Sequence, residues 1–314
     1  MTSTPPITLL MPIKNGERFL PEAMKFLEKN VSQKDEILLV DDNSKDQTSS
    51  ILMGWAKRNS NVTVVSNPKS GLVSALNFGL KIAAHEWIAR FDVDDRYPSS
   101  RIEETRKSIN KDVVAIFTDY QFTSDSGIGL GVIPSAIGAN HTAISLVSSQ
   151  RTAHPSVCFN KFAVQEAGGY IEEDFPAEDL SLWLRLSTKG LIVSVPKNLL
   201  FYRLNRNSTS SKLRQNAIQA KNKLLDQFEF NNLIVDECIS SLDATRNSYN
   251  DHWLGKYRYL LHLRDLSLIS KSSKNYNRNN SIHLRKEIYS EISNYPLASK
   301  LLVETVLRKL YRSL

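Results

Sequence analysis

Glu36-Ile-Leu-Leu-Val-Asp-Asp42 is an apolar run that ends in two adjacent carboxylates. A run this short and this apolar is typical of a strand that is buried on both faces of a sheet. A similar run, Ile7–Ile13, precedes it and another, Val62–Ser66, follows it, and the segments between them have the apolar spacing of helices. This alternation predicts right-handed crossovers and an α/β fold with a mostly parallel sheet.

The same alternation extends beyond these three strands. The other predicted elements are strands at 86–92, 113–117, 191–195 and 199–203, and helices at 19–30, 47–58, 72–84, 101–110, 162–167 and 179–188. Residues 124–150 are rich in Gly, Ser and Ala and are predicted to form a loop. Ligands of such sheets bind beyond the carboxyl ends of the strands, so the residues that follow each strand are the first candidates for a site.

Composition excludes several classes of protein. The 314 residues are 41% hydrophobic and 23% charged, which excludes collagen-like, low-complexity and largely disordered chains. The two cysteines form neither a disulfide framework nor a four-cysteine zinc site, and they fit a reducing compartment. The sequence has no signal-peptide pattern and no run of 18 apolar residues. We therefore expect a cytoplasmic protein, with peripheral contact at the inner face of the membrane left open.

The net charge of +7 is confined to the end of the chain. Residues 1–210 hold 23 basic and 23 acidic residues, whereas residues 211–314 hold 17 and 10. This change predicts two parts, the second of them a basic helical region. Within it, residues 301–314 have the period of a helix with one apolar face. That apolar face could pack on its own domain or on a partner, or it could lie in a membrane interface. The region contains no nucleic-acid-binding motif, so no nucleic-acid partner is expected.

A group of carboxylates follows the predicted strand at 86–92. In Asp92-Val-Asp-Asp95 the first and third side chains point to the same side of an extended chain, with Cα atoms about 6–7 Å apart. Two carboxylates this close repel each other unless a cation lies between them. Oxygen ligands of this kind suit Mg²⁺ or Mn²⁺, which commonly bind one or two carboxylates together with substrate phosphates. The alternative is a solvated acidic turn.

Several common sites are absent from the sequence. No Gly-rich dinucleotide fingerprint follows the first strand, and no P-loop motif occurs. The histidines form no HExxH pair, and the nucleophile elbow Gly-x-Ser-x-Gly is missing. These absences argue against dehydrogenases, P-loop NTPases, zinc hydrolases and α/β-hydrolases.

A set of ordered motifs resembles family 2 inverting glycosyltransferases. The motifs span roughly residues 7–210 and are Met11-Pro-Ile-Lys-Asn-Gly16, Val40-Asp-Asp-Asn-Ser44, Gly71-Leu-Val-Ser-Ala-Leu-Asn77, Ile88-Ala-Arg-Phe-Asp-Val-Asp-Asp95, His154-Pro-Ser-Val157, Gly168-Gly-Tyr170, Glu178-Asp179 and Tyr202-Arg203. The resemblance implies a GT-A fold, with a catalytic domain at 1–210 and a C-terminal region at 211–314. The catalytic domain would comprise a nucleotide-binding half (about 1–123) and an acceptor half (about 124–210).

The resemblance also implies roles for individual residues. Asp179 matches the catalytic base, with Glu178 beside it, and Asp94 and Asp92 match the ligands of a Mn²⁺ or Mg²⁺ cofactor. The nucleotide-binding candidates are Pro12, Lys14, Asn15, Asp42, Lys69, Asn77 and Asp92. The candidates for donor or acceptor binding are Asp95, Arg90, His154 and Arg206.

Four of these assignments depend on the local sequence. Lys14 stands where the family usually has an aromatic residue, and it could reach a phosphate instead. Arg90 lies in an apolar strand, which predicts a carboxylate partner near the site. Asp179 could instead be a simple acidic residue in the first turn of a helix, and His154 could be structural.

The expected activity is the inverting transfer of one sugar from a nucleotide-sugar donor. The expected donor is a UDP-sugar. The acceptor would be a hydroxyl of a surface glycan or of a lipid-linked oligosaccharide. A non-catalytic nucleotide-sugar-binding protein of a glycan-assembly complex is the alternative from another class. A sugar nucleotidyltransferase is a second alternative, although the loop after the first strand lacks the Gly-rich, Arg-containing sequence usual in that class.

Overall fold

The computed structural model describes residues 4–136, 138–148, 151–205 and 212–227, together with Leu261 and Asp265. The predicted helix at 301–314 and Arg206 lie outside these described residues. The chain divides into two compact units, one formed by Met1–Leu146 with Gln150–Glu229 and the other by Val147–Ser149 with Phe230–Leu314. Every candidate site residue other than Arg206 is described and belongs to the first unit. The predicted boundary at residue 210 stays a prediction.

The first unit alternates strands and helices in its N-terminal half, as the sequence predicts. Its strands are β1 (Ile7–Ile13), β2 (Glu36–Asp41), β3 (Val62–Ser66), β4 (Trp87–Arg90), β5 (Val113–Thr123), β6 (Gly129–Ile133), β7 (Cys158–Asn160) and β8 (Leu191–Arg203). Its helices are α1 (Leu20–Asn30), α2 (Thr48–Ala56), α3 (Leu72–Ile82), α4 (Arg101–Arg106), α5 (Ala139–Ser148), α6 (Lys161–Glu166), α7 (Glu178–Leu186) and α8 (Arg214–Gln227). Short 3₁₀ turns occupy His154–Ser156 and Glu172–Asp174.

One eight-stranded sheet carries the site, in the order β3-β2-β1-β4-β7-β5-β6, with β8 paired to β5. The pairs β1–β2, β1–β4, β2–β3 and β5–β8 are parallel, whereas β4–β7, β5–β7 and β5–β6 are antiparallel. The predicted α/β fold with a mostly parallel sheet is confirmed. Strand β1 is buried along its whole length, which explains why its sequence is continuously apolar instead of alternating.

The prediction of a loop at 124–150 is wrong. This segment contains β6, which pairs with the far end of β5, and α5, which buries Thr142, Ile144, Ser145 and Leu146. Strand β6 has the sequence Gly-Leu-Gly-Val-Ile, and its glycines hide the strand pattern. The buried residues of α5 include Thr142 and Ser145, whose side chains are polar. The helical repeat of apolar residues is therefore weak in this segment, which explains why the sequence does not predict the helix.

The two strands predicted at 191–195 and 199–203 are one strand, β8. Its register against β5 shifts between Thr118 and Tyr120, so that Val195 pairs with Thr118 and Asn198 pairs with Asp119. The skipped residues are Pro196 and Lys197, and a bulge is one of the few places where a sheet accommodates proline. The proline therefore bends the strand without ending it.

Candidate active site

Asp42 holds together the loops that follow β2 and β3. Its buried carboxylate accepts hydrogen bonds from Asn67 Nδ2 (2.7 Å) and from the backbone N–H of Gly71 (2.9 Å). Lys14 Nζ lies 3.2 Å from its other oxygen. Gly71 has a φ of +111° immediately before α3, a conformation that glycine adopts at low cost. The loop 67–71 is thus fixed at the carboxyl end of the sheet.

The loop after β1 is tied to the loop after β2. Asn15 has a φ of +52°, its backbone N–H donates to Ser44 Oγ (2.9 Å), and its Oδ1 accepts from the backbone N–H of Lys45 (2.8 Å). Asn43 Nδ2 donates to the carbonyl of Lys69 (2.8 Å). The structure therefore brings most of the predicted nucleotide-binding residues to one edge of the sheet: Pro12, Lys14, Asn15, Asp42 and Lys69.

Asn77 makes a different set of contacts. Both ends of its side-chain amide bind the main chain of Tyr170, which lies in the Gly-Gly-Tyr segment after α6. This contact joins α3 to the segment that leads towards α7. A role for Asn77 in nucleotide binding stays a prediction.

Arg90 is the last residue of β4 and has the carboxylate partner that the sequence predicts. Its side chain is 2% exposed, and its Nη1 lies 2.7 Å from Asp92 Oδ1. Burial, the largest single cause, lowers the pKa of Arg90, but the charge and hydrogen bond of Asp92 together with the phenols of Tyr170 and Tyr97 raise it by more, so the net shift is upward. The backbone N–H of Asp92 donates to the hydroxyl of Tyr97 (2.8 Å), and Arg101 Nη2 donates to the carbonyl of Arg90 (2.7 Å).

Asp94 and Asp95 follow in the same turn and lie close to Asp92. Burial and the charge of Asp92 raise the pKa of Asp94 to about 6. Burial, with the charges of Asp92 and Asp94, also raises the pKa of Asp95 well above its usual range. Asp95 Oδ1 accepts from the backbone N–H of Arg203 (2.8 Å), whereas its buried Oδ2 has no hydrogen-bond partner among the described residues.

These carboxylates are chemically suited to a divalent cation. Burial and mutual repulsion both disfavour the ionised forms of Asp94 and Asp95, and the buried Oδ2 of Asp95 has no hydrogen-bond partner among the described residues. In the part of the chain that the structure describes, no group of three or more His, Cys, Asp or Glu residues is arranged to hold a metal ion. The turn fits a cation that takes one or two protein ligands and completes its coordination with substrate oxygens, as Mg²⁺ does.

Glu178 and Asp179 form the first turn of α7. Glu178 is 5% exposed, and burial together with the charge of Asp179 raises its pKa to about 7. Its Oε2 is buried and has no hydrogen-bond partner among the described residues. Asp179 is half-buried, and its Oδ1 accepts from the backbone N–H of Leu180 (2.7 Å). The two neighbouring carboxyl groups therefore have different environments.

The buried phenol of Tyr170 is affected by the charges of both groups of carboxylates. Burial raises the pKa of its phenol; the charge of Arg90 opposes this shift, and the charges of Glu178, Asp179 and Asp92 add to it. Its hydroxyl is 2.9 Å from His154 Nε2. Burial and the nearby charge of Arg90 lower the pKa of His154 well below its usual value, so this imidazole is neutral. The turn after β4 and the start of α7 are therefore both within electrostatic range of one buried phenol.

Sequence reasoning missed two residues of this region. Arg203 was noted only as part of a motif, yet its backbone and side chain bind Asp95 and Asp94. Glu22, in the first turn of α1, forms an ion pair with Arg203. Nothing in the sequence around Glu22 indicates this role, because an acidic residue is common in the first turn of a helix. Its contact with Arg203 joins residues at opposite ends of the first unit, and such pairs carry no local pattern.

Residues 8–141 match the model of the family Glycosyl transferase family 2. The chain is 31% identical over 199 residues to the UDP-Gal:alpha-D-GlcNAc-diphosphoundecaprenol beta-1,3-galactosyltransferase of Escherichia coli, covering 60% of this chain and 70% of the relative. It is also 25% identical over 230 residues to a glycosyltransferase of Haemophilus influenzae, covering 67% of this chain and 69% of the relative.

Two solved structures share the fold. S. aureus TarS 1-349 in complex with UDP-GlcNAc aligns with a TM-score of 0.58 at 15% identity, over 97% of this chain and 92% of that one. The mannosyltransferase PcManGT from Pyrobaculum calidifontis in complex with GDP-Man and Mn²⁺ aligns with a TM-score of 0.53 at 14% identity, over 99% and 83%. At these identities the similarity concerns the fold.

Proposed function

The chain belongs to glycosyltransferase family 2, and we propose that it transfers one sugar from a UDP-sugar to an acceptor hydroxyl with inversion at the anomeric carbon. The observation that carries this proposal is the presence of two groups of carboxylates in the same unit: Asp92, Asp94 and Asp95 in the turn after β4, and Asp179 with Glu178 in the first turn of α7. The phenol of Tyr170 is within electrostatic range of both groups. A metal-assisted transferase of this type needs a general base beside the attacking hydroxyl and a cation at the departing diphosphate. The carboxylates on α7 would supply the base, and those after β4 would hold the cation.

The donor would bind at the carboxyl ends of β1, β2 and β4. Asp42 and Pro12 would contact the base, and Lys14, which is exposed beside Asp42, would reach a phosphate. The UDP assignment is supported by the family relative that uses UDP-Gal and by the TarS complex with UDP-GlcNAc. The sugar itself would lie near Asp95 and Arg90.

Asp94 and Asp92 would hold Mn²⁺ or Mg²⁺, because burial and the neighbouring charge of Asp92 disfavour the ionised form of Asp94, and a cation would relieve both effects. When bound, such an ion neutralises the negative charge that develops on a departing diphosphate. The Mn²⁺ complex of PcManGT supports this choice of cofactor. The contribution of the protein is to hold Asp92 against Arg90, which fixes one carboxylate of the pair.

Asp179 is the candidate general base. It would take the proton of the acceptor hydroxyl as that oxygen attacks the anomeric carbon, a contribution of about 10²–10⁴-fold in rate. Asp179 is half-buried in the first turn of α7, so its carboxylate is more accessible to an acceptor hydroxyl than the buried carboxylate of Glu178. Glu178, by contrast, is buried with a pKa raised to about 7, so it is partly protonated at neutral pH and less suited to the role.

The acceptor would be a hydroxyl of a glycan or of a lipid-linked oligosaccharide. The E. coli relative acts on GlcNAc-diphosphoundecaprenol, which supports the lipid-linked class and would place the reaction at a membrane surface. No helix among the described residues is long and apolar enough to cross a membrane.

The first test is thermal unfolding of the purified protein with UDP, GDP, dTDP, CMP or NAD, each with Mn²⁺ and with EDTA. A ligand at about 100 times its dissociation constant adds about 2.7 kcal/mol to the free energy of unfolding. We expect a clear shift with UDP and Mn²⁺ and a smaller one with EDTA. Transfer assays with UDP-sugars then identify the donor. Binding of UDP without transfer to any glycan or lipid-linked acceptor would favour a non-catalytic binding protein.

A further inference from the structure

Glu22, in the first turn of α1, binds two arginines that are distant from it in the chain. Its Oε2 accepts a hydrogen bond from Arg203 Nη2 (2.6 Å). Its Oε1 lies 2.7 Å from Arg96 Nε, an ion pair without the geometry of a hydrogen bond. The Glu22 side chain is 39% exposed, whereas that of Arg203 is only 7% exposed. A hydrogen bond between two ionised groups is roughly twice as strong as a neutral one, and the partner of a buried cation is costly to remove.

Arg203, the last residue of β8, attaches the turn Asp92–Asp95 to the sheet. We call this turn the acidic turn. Its backbone N–H donates to Asp95 Oδ1 (2.8 Å), and its Nε donates to the carbonyl of Asp94 (2.7 Å). Its Nη1 donates to the carbonyl of Asp125 (2.9 Å), and the guanidinium lies 5.3 Å from the centre of the Phe19 ring. One buried side chain thus contacts the turn after β4, the turn after β5 and helix α1.

Arg96 makes the second attachment. Its backbone N–H donates to the carbonyl of Phe201 (3.1 Å), and the backbone N–H of Phe201 donates back to the carbonyl of Arg96 (2.8 Å). Both arginines that Glu22 binds are therefore part of the contact between the acidic turn and β8. Arg96 pairs with Phe201, and Arg203 binds Asp94 and Asp95. Glu22 is the anion that the two attachments share.

We infer that Glu22 and Arg203 are positioning residues that hold Asp94 and Asp95 in the geometry needed to bind the donor. Neither is proposed to touch the substrate. The inference rests on the proposed function of the acidic turn, because the consequence for catalysis depends on Asp94 and Asp95 facing the diphosphate. A displacement of about 1 Å in such a site can cost two orders of magnitude in rate.

The test compares Glu22→Gln with Glu104→Gln. Glu104, on α4, is a matched control because its carboxylate also forms ion pairs with two basic residues, Lys107 (3.1 Å) and Lys197 (2.7 Å). Among the described residues, neither ion pair involves the acidic turn. Hydrogen exchange of the protein without ligand is measured at the backbone amides of Arg96 and Arg203. We expect at least tenfold faster exchange in Glu22→Gln and no change at these amides in Glu104→Gln.

Calorimetric titration of UDP at stepped Mn²⁺ concentrations gives the second measurement. Glu22→Gln is expected to weaken UDP binding at least tenfold, while its circular dichroism spectrum stays unchanged. Arg203→Lys keeps the positive charge but loses the planar guanidinium, so it is also expected to weaken UDP binding. Unchanged exchange in Glu22→Gln, or equal effects in Glu104→Gln, would overturn the inference. Absence of UDP binding by the unmodified protein would instead contradict the proposed function, while the exchange result would still decide whether Glu22 fixes the turn.

Discussion

The side-chain amide of Asn77 binds the main chain of Tyr170 at both ends. Its Nδ2 donates to the Tyr170 carbonyl (2.8 Å), and its Oδ1 accepts from the Tyr170 backbone N–H (3.0 Å). The preceding residue, Gly169, has a φ of +69°, and a Cβ added there would lie 2.8 Å from Asn77 Oδ1. The path of the chain into the site therefore depends on the absence of a side chain at Gly169.

Gly169→Ala should destabilise the protein by about 1–3 kcal/mol, because it forces a strained backbone conformation and pushes the Asn77 amide away from Tyr170. The free energy of unfolding measured by denaturant titration checks this. Gly54→Ala is the control: Gly54 lies inside α2, where a Cβ would meet only Arg58 Nη1 at 3.8 Å. There alanine should stabilise by about 0.5–1 kcal/mol. Equal effects at both positions would contradict the role assigned to Gly169.

Asp179→Asn should lower the rate of transfer by about two to four orders of magnitude while UDP binding stays near normal. The amide has nearly the same shape as the carboxylate and cannot accept the acceptor's proton. Single-turnover transfer and UDP titration are measured on the same preparation. A parallel loss of binding and turnover would show that Asp179 has a structural role in α7.

Asp94→Ala should abolish the Mn²⁺ dependence of UDP binding. Removal of the Asp94 carboxylate leaves Asp92 as the remaining candidate ligand, and Asp92 is already paired with Arg90 (2.7 Å). UDP affinity is compared with Mn²⁺ and with EDTA. An unchanged ratio between the two conditions would remove the metal assignment from this turn.

Glu178→Gln should change the pH dependence of stability. Burial and the charge of Asp179 raise the pKa of Glu178 from 4.5 to about 7, so between these two pH values the folded protein binds more protons than the unfolded chain. This group alone therefore makes stability fall as pH rises from about 4.5 to about 7, with no further loss above that.

The glutamine variant lacks this titration, so its stability relative to the unmodified protein should rise across the same pH window. Denaturant titrations at pH 5, 6, 7 and 8 measure the difference. Two curves that stay parallel across the window would show that Glu178 titrates in the folded protein as it does in the unfolded chain.

The parts of the fold that were predicted correctly are those whose signal is local. Buried strands such as β1 and β2 are apolar along their length because they are covered on both faces, and helices such as α3 repeat with their own period. The segment 124–150 was missed because β6 is a strand only through its pairing with β5, a contact that its glycine-rich sequence does not encode.

The sequence by itself determined the family of the chain and which carboxylates are candidates for the site, because Asp92, Asp94, Glu178 and Asp179 lie in motifs with a recognisable order and spacing. Only the tertiary structure decided how these groups are held and how they differ. Glu178 and Asp179 are adjacent in the chain, yet one is buried with a pKa of about 7 and the other is half-buried. Glu22 and Arg203 meet although 181 residues separate them in sequence. Burial and long-range ion pairing depend on what packs around a residue, and that surrounding forms only when the chain folds.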